Sequence, residues 1–204
     1  AVGAEAGTRA DQDQARQIAL RLPEYAHTWF QEAQRTADDR AHGSAFLART
    51  ALTPVSRQAL PYEDNAEDTN RRILLHARAQ DGDNTLNIVN AHFSWVPALN
   101  LGNVVAALAY LNTLSGATLL LGDMNAPPDS GGMRLLAEFG WTDVWARLRP
   151  DDPGFTFESD APAQRIDYVW ANTAALARVQ AIDRLLPAQD ERLSDHLPLL
   201  VTLD

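Results

Sequence analysis

The chain has no cysteine. That excludes disulfides, a thiolate nucleophile and cysteine-ligated zinc, and it fits any redox compartment. It has no lysine either: all 17 basic residues are arginine. Schiff-base chemistry and a phosphate-loop lysine are therefore excluded. No apolar run is long enough to span a bilayer. No basic segment followed by an apolar one marks a signal peptide at the start, which is Ala1 rather than Met. The reading is a soluble chain, cytoplasmic or exported, whose start is processed, trimmed or missing. Positive charge is scarce overall, with a formal net charge of −10. Such a chain lacks the field that a nucleic-acid backbone selects, although bound divalent cations reverse the local sign in a cleft.

What is present is ordinary for a globular domain: 204 residues, 46% hydrophobic and 22% charged. That length supports one domain over 1–204 with a real core. The spacing predicts a helix over Ala10–Leu22, opened by a capping pair at Thr8 and Asp11. A strand is expected at Ser44–Arg49, and 51–70, rich in Pro, Asp and Asn, reads as a loop. Ile73–Ala79 and Thr85–Ala91 read as a hairpin through Asp81-Gly82-Asp83-Asn84. Leu101–Leu114 and Gly132–Phe139 have helical periodicity, the second closed by Gly140. Ala117–Leu121, Phe155–Phe157, Arg165–Ala171 and Leu197–Leu203 read as strands. Mixed strands and helices with a hairpin imply a layered α/β domain with mixed sheets.

The chemistry is concentrated at strand ends. Leu119-Leu120-Leu121 is a short buried strand that stops at Gly122, sets Asp123 and Asn125 two apart, and meets Pro127-Pro128. A carboxylate and an amide on a rigid strand end can serve a hard cation and a phosphate together. Read alone, the pair is equally a turn. Three further segments share the layout. The Leu86–Asn90 run ends on His92. Asp167 sits between Ile166 and Tyr168. Ser194-Asp195-His196 precedes the last strand. Singly, each has a bland explanation in packing, pairing or turns. Together they supply two histidines, three aspartates and an asparagine, a set that fits metal-assisted phosphate chemistry. His27, His42 and His76 have no assigned role beyond surface or packing.

The ordered series His92, Gly122-Asp123-Met124-Asn125, Arg165-Ile166-Asp167-Tyr168 and Ser194-Asp195-His196 resembles the endonuclease/exonuclease/phosphatase superfamily, the DNase I-like fold, from about Gly43 to the C-terminus. The resemblance implies a four-layer sandwich, two mixed sheets face to face with helices outside. It implies that His196 is the catalytic histidine, Asp167 the carboxylate orienting it, Asp195 a metal carboxylate, Asp123 the aspartate beside the attacking water and the metal, Asn125 the amide donor to phosphate, and His92 a phosphate-side residue. Arg165 is expected on the substrate side with them. The family's first strand with its metal-site Asn has no counterpart, so the chain reads as N-terminally short. Ala4-Glu5 matches the tail of the next strand, with Glu5 as metal ligand.

The expectation is a Mg²⁺- or Mn²⁺-dependent phosphoesterase acting by in-line water attack on a nucleic-acid, small or lipid phosphoester. The rival from another class is a non-catalytic binding domain on the same fold. Within the enzyme reading, the Phe93, Trp95 and Val96 segment is expected to pack over the sheet. Lipid contact is its alternative.

Overall fold

A computed structural model describes residues 14–64, 67–82, 84–186 and 194–204. The elements in chain order are α1 (Gln14–Arg21), β1 (His27–Arg35), β2 (Ala41–Ala48), β3 (Leu52–Ala59), β4 (Ile73–Asp81), β5 (Asn84–His92), α2 (Pro97–Leu111), β6 (Ala117–Asp123), α3 (Gly131–Glu138), β7 (Thr142–Asp143), α4 (Val144–Leu148), β8 (Asp167–Ala171), α5 (Thr173–Leu176), β9 (Val179–Arg184) and β10 (Leu199–Leu203). A six-stranded mixed sheet runs β3-β4-β5-β6-β8-β7, and β1–β2 and β9–β10 form two antiparallel pairs.

Side-chain alternation on three neighbouring strands sorts the layers. Successive residues of a strand point to opposite faces. On β6, Leu120 faces one core with Val104, Leu108, Met133 and Leu136 of α2 and α3. Leu119 and the half-buried Leu121 face another, together with Ile182 of β9 and Val201 and Leu203 of β10. Tyr168 and Trp170 of β8 follow Leu120, whereas Val169 and Ala171 follow Leu119. The sheet is thus buried on both faces, by helices on one side and strand pairs on the other. The β1–β2 pair packs against β3, β4 and β5, and α1 packs against β1 and β2. The layers run helices, six-stranded sheet, strand pairs, helix, in agreement with the expected sandwich.

The expected helices and most expected strands form within a few residues of their anticipated bounds. The segment 51–70 does not form a simple loop. Its first half is β3, an edge strand on β4. Its Pro54 escaped the usual penalty because the register breaks between Pro54 and Ser56, where no ladder hydrogen bond is required of it. Phe155–Phe157 forms only isolated bridges, from Phe157 to Gln164 and His196. The Ala10–Leu22 helix begins, among described residues, at Gln14. Its Thr8–Asp11 cap lies outside them, as does Glu5.

Candidate active site

The sheet order brings the polar strand ends together. β5 and β6 are parallel, so both finish at the same edge, and β8 runs back from it. The register pairs His92 with Asp123 and Asp123 with Asp167, a row of three residues directly opposite one another. Opposed residues share a face. That face is set by the apolar residues two and four positions away: Leu119 and Leu121 on β6, Val169 and Ala171 on β8, all on the strand-pair side. The row therefore looks toward β1–β2, across a cleft of about 250 Å³ lined by His92, Asp123, Asn125, Asp195 and His196 on one side and Gln34, His42, Gly43 and Ser44 on the other.

Local geometry fixes each group. Gly122 has φ 131°, and a Cβ there would lie 2.0 Å from the Ala91 carbonyl oxygen, so β6 approaches β5 more closely than any side chain allows. Asn125 adopts a left-handed φ of 48°, which Asn tolerates better than most residues. Its backbone N–H donates to Asp123 Oδ1 at 2.8 Å, and its side-chain Nδ2 donates to the Phe93 carbonyl at 2.9 Å. Asn100 on α2 clamps the two loops, donating from Nδ2 to the carbonyls of Met124 at 2.7 Å and Ser94 at 2.8 Å. Tyr168 braces the same turn through its hydroxyl, which donates to the Ala126 carbonyl at 2.8 Å.

His196 Nδ1 lies 2.8 Å from Asp167 Oδ2, which also accepts from the Thr156 hydroxyl at 2.6 Å. The carboxylate therefore fixes the ring with its proton on Nδ1, leaving Nε2 for other chemistry. Burial alone would lower the His196 pKa. The hydrogen bond and charge of Asp167 outweigh it, and His196 titrates above its ordinary value. Asp123 is 3% exposed. Burial first, and the like charge of Asp167 second, raise its carboxyl to about 6. His92 Nε2 sits 3.4 Å from Asp123 Oδ2. Burial and then the Arg72 guanidinium hold His92 well below its ordinary value, so it is a neutral imidazole near pH 7.

Of the residues singled out in the sequence, His92, Asp123, Asn125, Asp195 and His196 line one cleft, and Asp167 stands behind His196. Arg165 does not join them. Its guanidinium is 7% exposed, pairs with Asp143 Oδ2 at 2.6 Å and lies over the Tyr168 ring. It is a buried brace between β8 and β7, since burying a guanidinium without that partner would be costly. The Phe93–Val96 segment splits. Phe93 is buried as expected and Val96 is half-buried, but Trp95 is 48% exposed and lines the cleft. His42 also lines the cleft, whereas His76 is buried between Tyr110 and Asn87.

Sequence reasoning missed Arg72, Asp68, Asn100 and Thr156. Arg72 lines the cleft and is held by Asp68, with Nη2 to Oδ2 at 2.9 Å. Burial alone would raise the Asp68 carboxyl. The Asn70 N–H, the Ser94 hydroxyl and Arg72 hold it below its ordinary value instead. Asn100 carried a signal, being a polar residue on the buried face of an apolar helix; Thr156 carried none. For a hard cation, Asp123 and Asp195 are oxygen donors in one cleft, of the right charge and type. Glu5, the third expected donor, lies outside the described residues. Among those described, no three carboxylate or imidazole groups converge as a metal cluster. Nor is any described helix long and apolar enough to cross a membrane.

The model of the endonuclease/exonuclease/phosphatase family matches residues 7–196. A search of curated proteins finds no match. Among solved structures, an endonuclease/exonuclease/phosphatase from Bacteroides vulgatus superposes with a TM-score of 0.73 at 16% identity, covering 95% of this chain and 82% of that one. A 3′ phosphatase from Neisseria bound to a product DNA hairpin gives 0.71 at 17% identity, over 97% and 86%. A mannosyl-6-phosphatase from Bacteroides thetaiotaomicron gives 0.72 at 17% identity, over 94% and 81%. At these identities the likeness speaks for the fold.

Proposed function

The chain belongs to the endonuclease/exonuclease/phosphatase family, and on that premise we propose that it is a Mg²⁺- or Mn²⁺-dependent phosphoesterase that hydrolyses its substrate by in-line attack of water. The observation that carries the reading is the row His92–Asp123–Asp167 on one sheet edge, with His196 held by Asp167. Nothing in the packing requires this set, and holding the buried Asp123 carboxylate beside that of the half-buried Asp167 costs stability. The names of the structural neighbours, a 3′ phosphatase and a mannosyl-6-phosphatase, are consistent with a phosphoester substrate.

The residues divide the work by position and chemistry. Asp123, 3% exposed and lining the cleft, is the carboxylate placed to position the attacking water beside the cation, whose charge would keep it ionised. His196, oriented by Asp167 and with its protonated form favoured by it, is the donor to the phosphoryl or leaving oxygen. Neutral His92 and the Asn125 amide are uncharged donors to phosphoryl oxygens. Asp195 and Asp123, with Glu5, would hold the divalent cation. When bound, it neutralises phosphoryl charge and polarises the phosphorus–oxygen bond.

The test is hydrolysis of a generic phosphomonoester, a generic phosphodiester and plasmid DNA, in Mg²⁺ or Mn²⁺ against EDTA, with His196→Ala alongside. Metal-dependent turnover should fall by several orders of magnitude in the variant, about 10³-fold or more. The variant's circular dichroism should stay unchanged. Near-normal turnover in His196→Ala, or full turnover in EDTA, overturns the assignment.

A further inference from the structure

Resting on the phosphoesterase reading, we infer that Trp95 is a stacking platform for the leaving group, and that the substrate class is a small phosphorylated sugar ring rather than a polymer. Trp95 lies three residues beyond His92 and is 48% exposed, while Phe93 and Ser94 before it are buried at 0% and 2%. The backbone on either side of Trp95 is held in place. The Ser94 N–H donates to Asn103 Oδ1 at 3.0 Å, the Ser94 carbonyl accepts from Asn100, and the Val96 N–H donates to the Ser94 hydroxyl at 3.2 Å. Unlike the other exposed apolar side chains, the half-exposed Trp95 ring lies at the wall of the polar cleft, where a ligand bound beside His92 could cover it.

The rest of the cleft indicates which ligand. The wall contributed by β1–β2 offers Gln34, His42 and Ser44, groups that hydrogen-bond to hydroxyls. An aromatic face beside uncharged polar donors and acceptors matches a sugar ring, apolar on its C–H face and polar at its rim. The volume, about 250 Å³, lies below the roughly 300–1,000 Å³ of drug-sized ligand sites. A polymer would need a basic track, because each backbone phosphate engaged wants its own cation. Among the described lining residues only Arg71 and Arg72 carry fixed positive charge, and both are already paired, with Asp64 at 3.1 Å and Asp68 at 2.9 Å.

The experiment compares wild type, Trp95→Ala and Trp95→Phe on hexose 6-phosphate, a 5′-mononucleotide, ringless glycerol 3-phosphate and plasmid DNA, in Mg²⁺. Binding of the same small phosphates is measured by calorimetry in the His196→Ala background. Trp95→Ala should raise KM for a ring substrate about tenfold, with kcat within about threefold, and shift glycerol 3-phosphate less than about twofold; Trp95→Phe should recover most of the loss. Dependence on hexose 6-phosphate upholds the inference; dependence on the mononucleotide alone assigns the platform to a base and overturns the sugar-ring reading. An equal effect on glycerol 3-phosphate, no effect on any ring, or plasmid cleaved more efficiently than the small phosphates overturns it. If wild type turns over no phosphoester, the phosphoesterase reading fails on its own, and the calorimetry decides. Ring phosphates binding about tenfold tighter than glycerol 3-phosphate, with the difference lost in Trp95→Ala,His196→Ala, uphold the platform; equal or absent binding rejects it.

Discussion

Replacing Asp123 with asparagine should stabilise the protein while abolishing its turnover. The side chain is 3% exposed and faces Asp167 across the sheet register. Its carboxyl is raised from 3.8 to about 6, chiefly by burial. At about 1.36 kcal/mol per pH unit, holding Asp123 ionised at pH 7 costs the fold about 3 kcal/mol. Asparagine keeps the shape and the acceptor oxygen for the Asn125 N–H, but forfeits the charge that strengthens that bond. A net gain of about 2–3 kcal/mol is expected, or roughly 4–12 °C in Tm for a chain of this size. The sign follows from the raised folded pKa. Below 3.8 both folded and unfolded carboxyls are protonated and no penalty exists; it grows as pH rises and is complete once pH passes about 6. Thermal unfolding in EDTA at pH 4 and pH 7 therefore reads the effect, with a gap between variant and wild type of under about 1 kcal/mol at pH 4 and the full value at pH 7. An Asp123→Asn protein no more stable than wild type at pH 7, or a gap independent of pH, refutes the reasoning.

Asp167→Asn should lower the His196 pKa from its wild-type value, because the hydrogen bond and charge that chiefly oppose burial are lost while only the charges of Asp123 and Asp195 still raise it; a titration of the ring by NMR measures it, and an unchanged midpoint contradicts the pairing. In wild type the raised His196 value adds stability that is complete below 6.5 and lost as pH rises through the folded pKa, a component the variant should lack. Arg165→Met strands Asp143 and should cost about 3–5 kcal/mol by urea denaturation while kcat holds; lost activity at unchanged stability would instead put Arg165 on the substrate. Gly122→Ala drives a methyl to 2.0 Å from the Ala91 carbonyl, and should lower stability by at least about 3 kcal/mol and turnover with it. A variant melting with wild type would show that β5 and β6 are not so closely apposed.

Local sequence determined a good deal. The alternation Leu119–Leu121–Asp123 fixes which face Asp123 shares with its apolar neighbours, and the same parity on β8 does so for Asp167. Gly122 before Asp123 and the two prolines after Asn125 fix where β6 ends, because backbone freedom and a missing N–H are properties of single residues. These rules act over a few residues, and the strand ends they define carry nearly all of the candidate site. Tertiary structure decided what is set by distant partners. The parallel pairing of β5 with β6 and the antiparallel return of β8 turn three separate strand ends into one row. Periodicity sets a strand's faces but not its neighbours. Arg165 sits two residues from Asp167 in a motif that points to substrate, yet an ion pair with Asp143, 22 residues away, takes its charge out of the cleft. Pro54 argues against a strand until β4 offers a register break to hold it. Trp95 belongs by composition with Phe93 in the core. Whether an indole is covered depends on what stands opposite, and opposite Trp95 stands a cleft whose far wall, β1–β2, is built some 50 residues earlier in the chain.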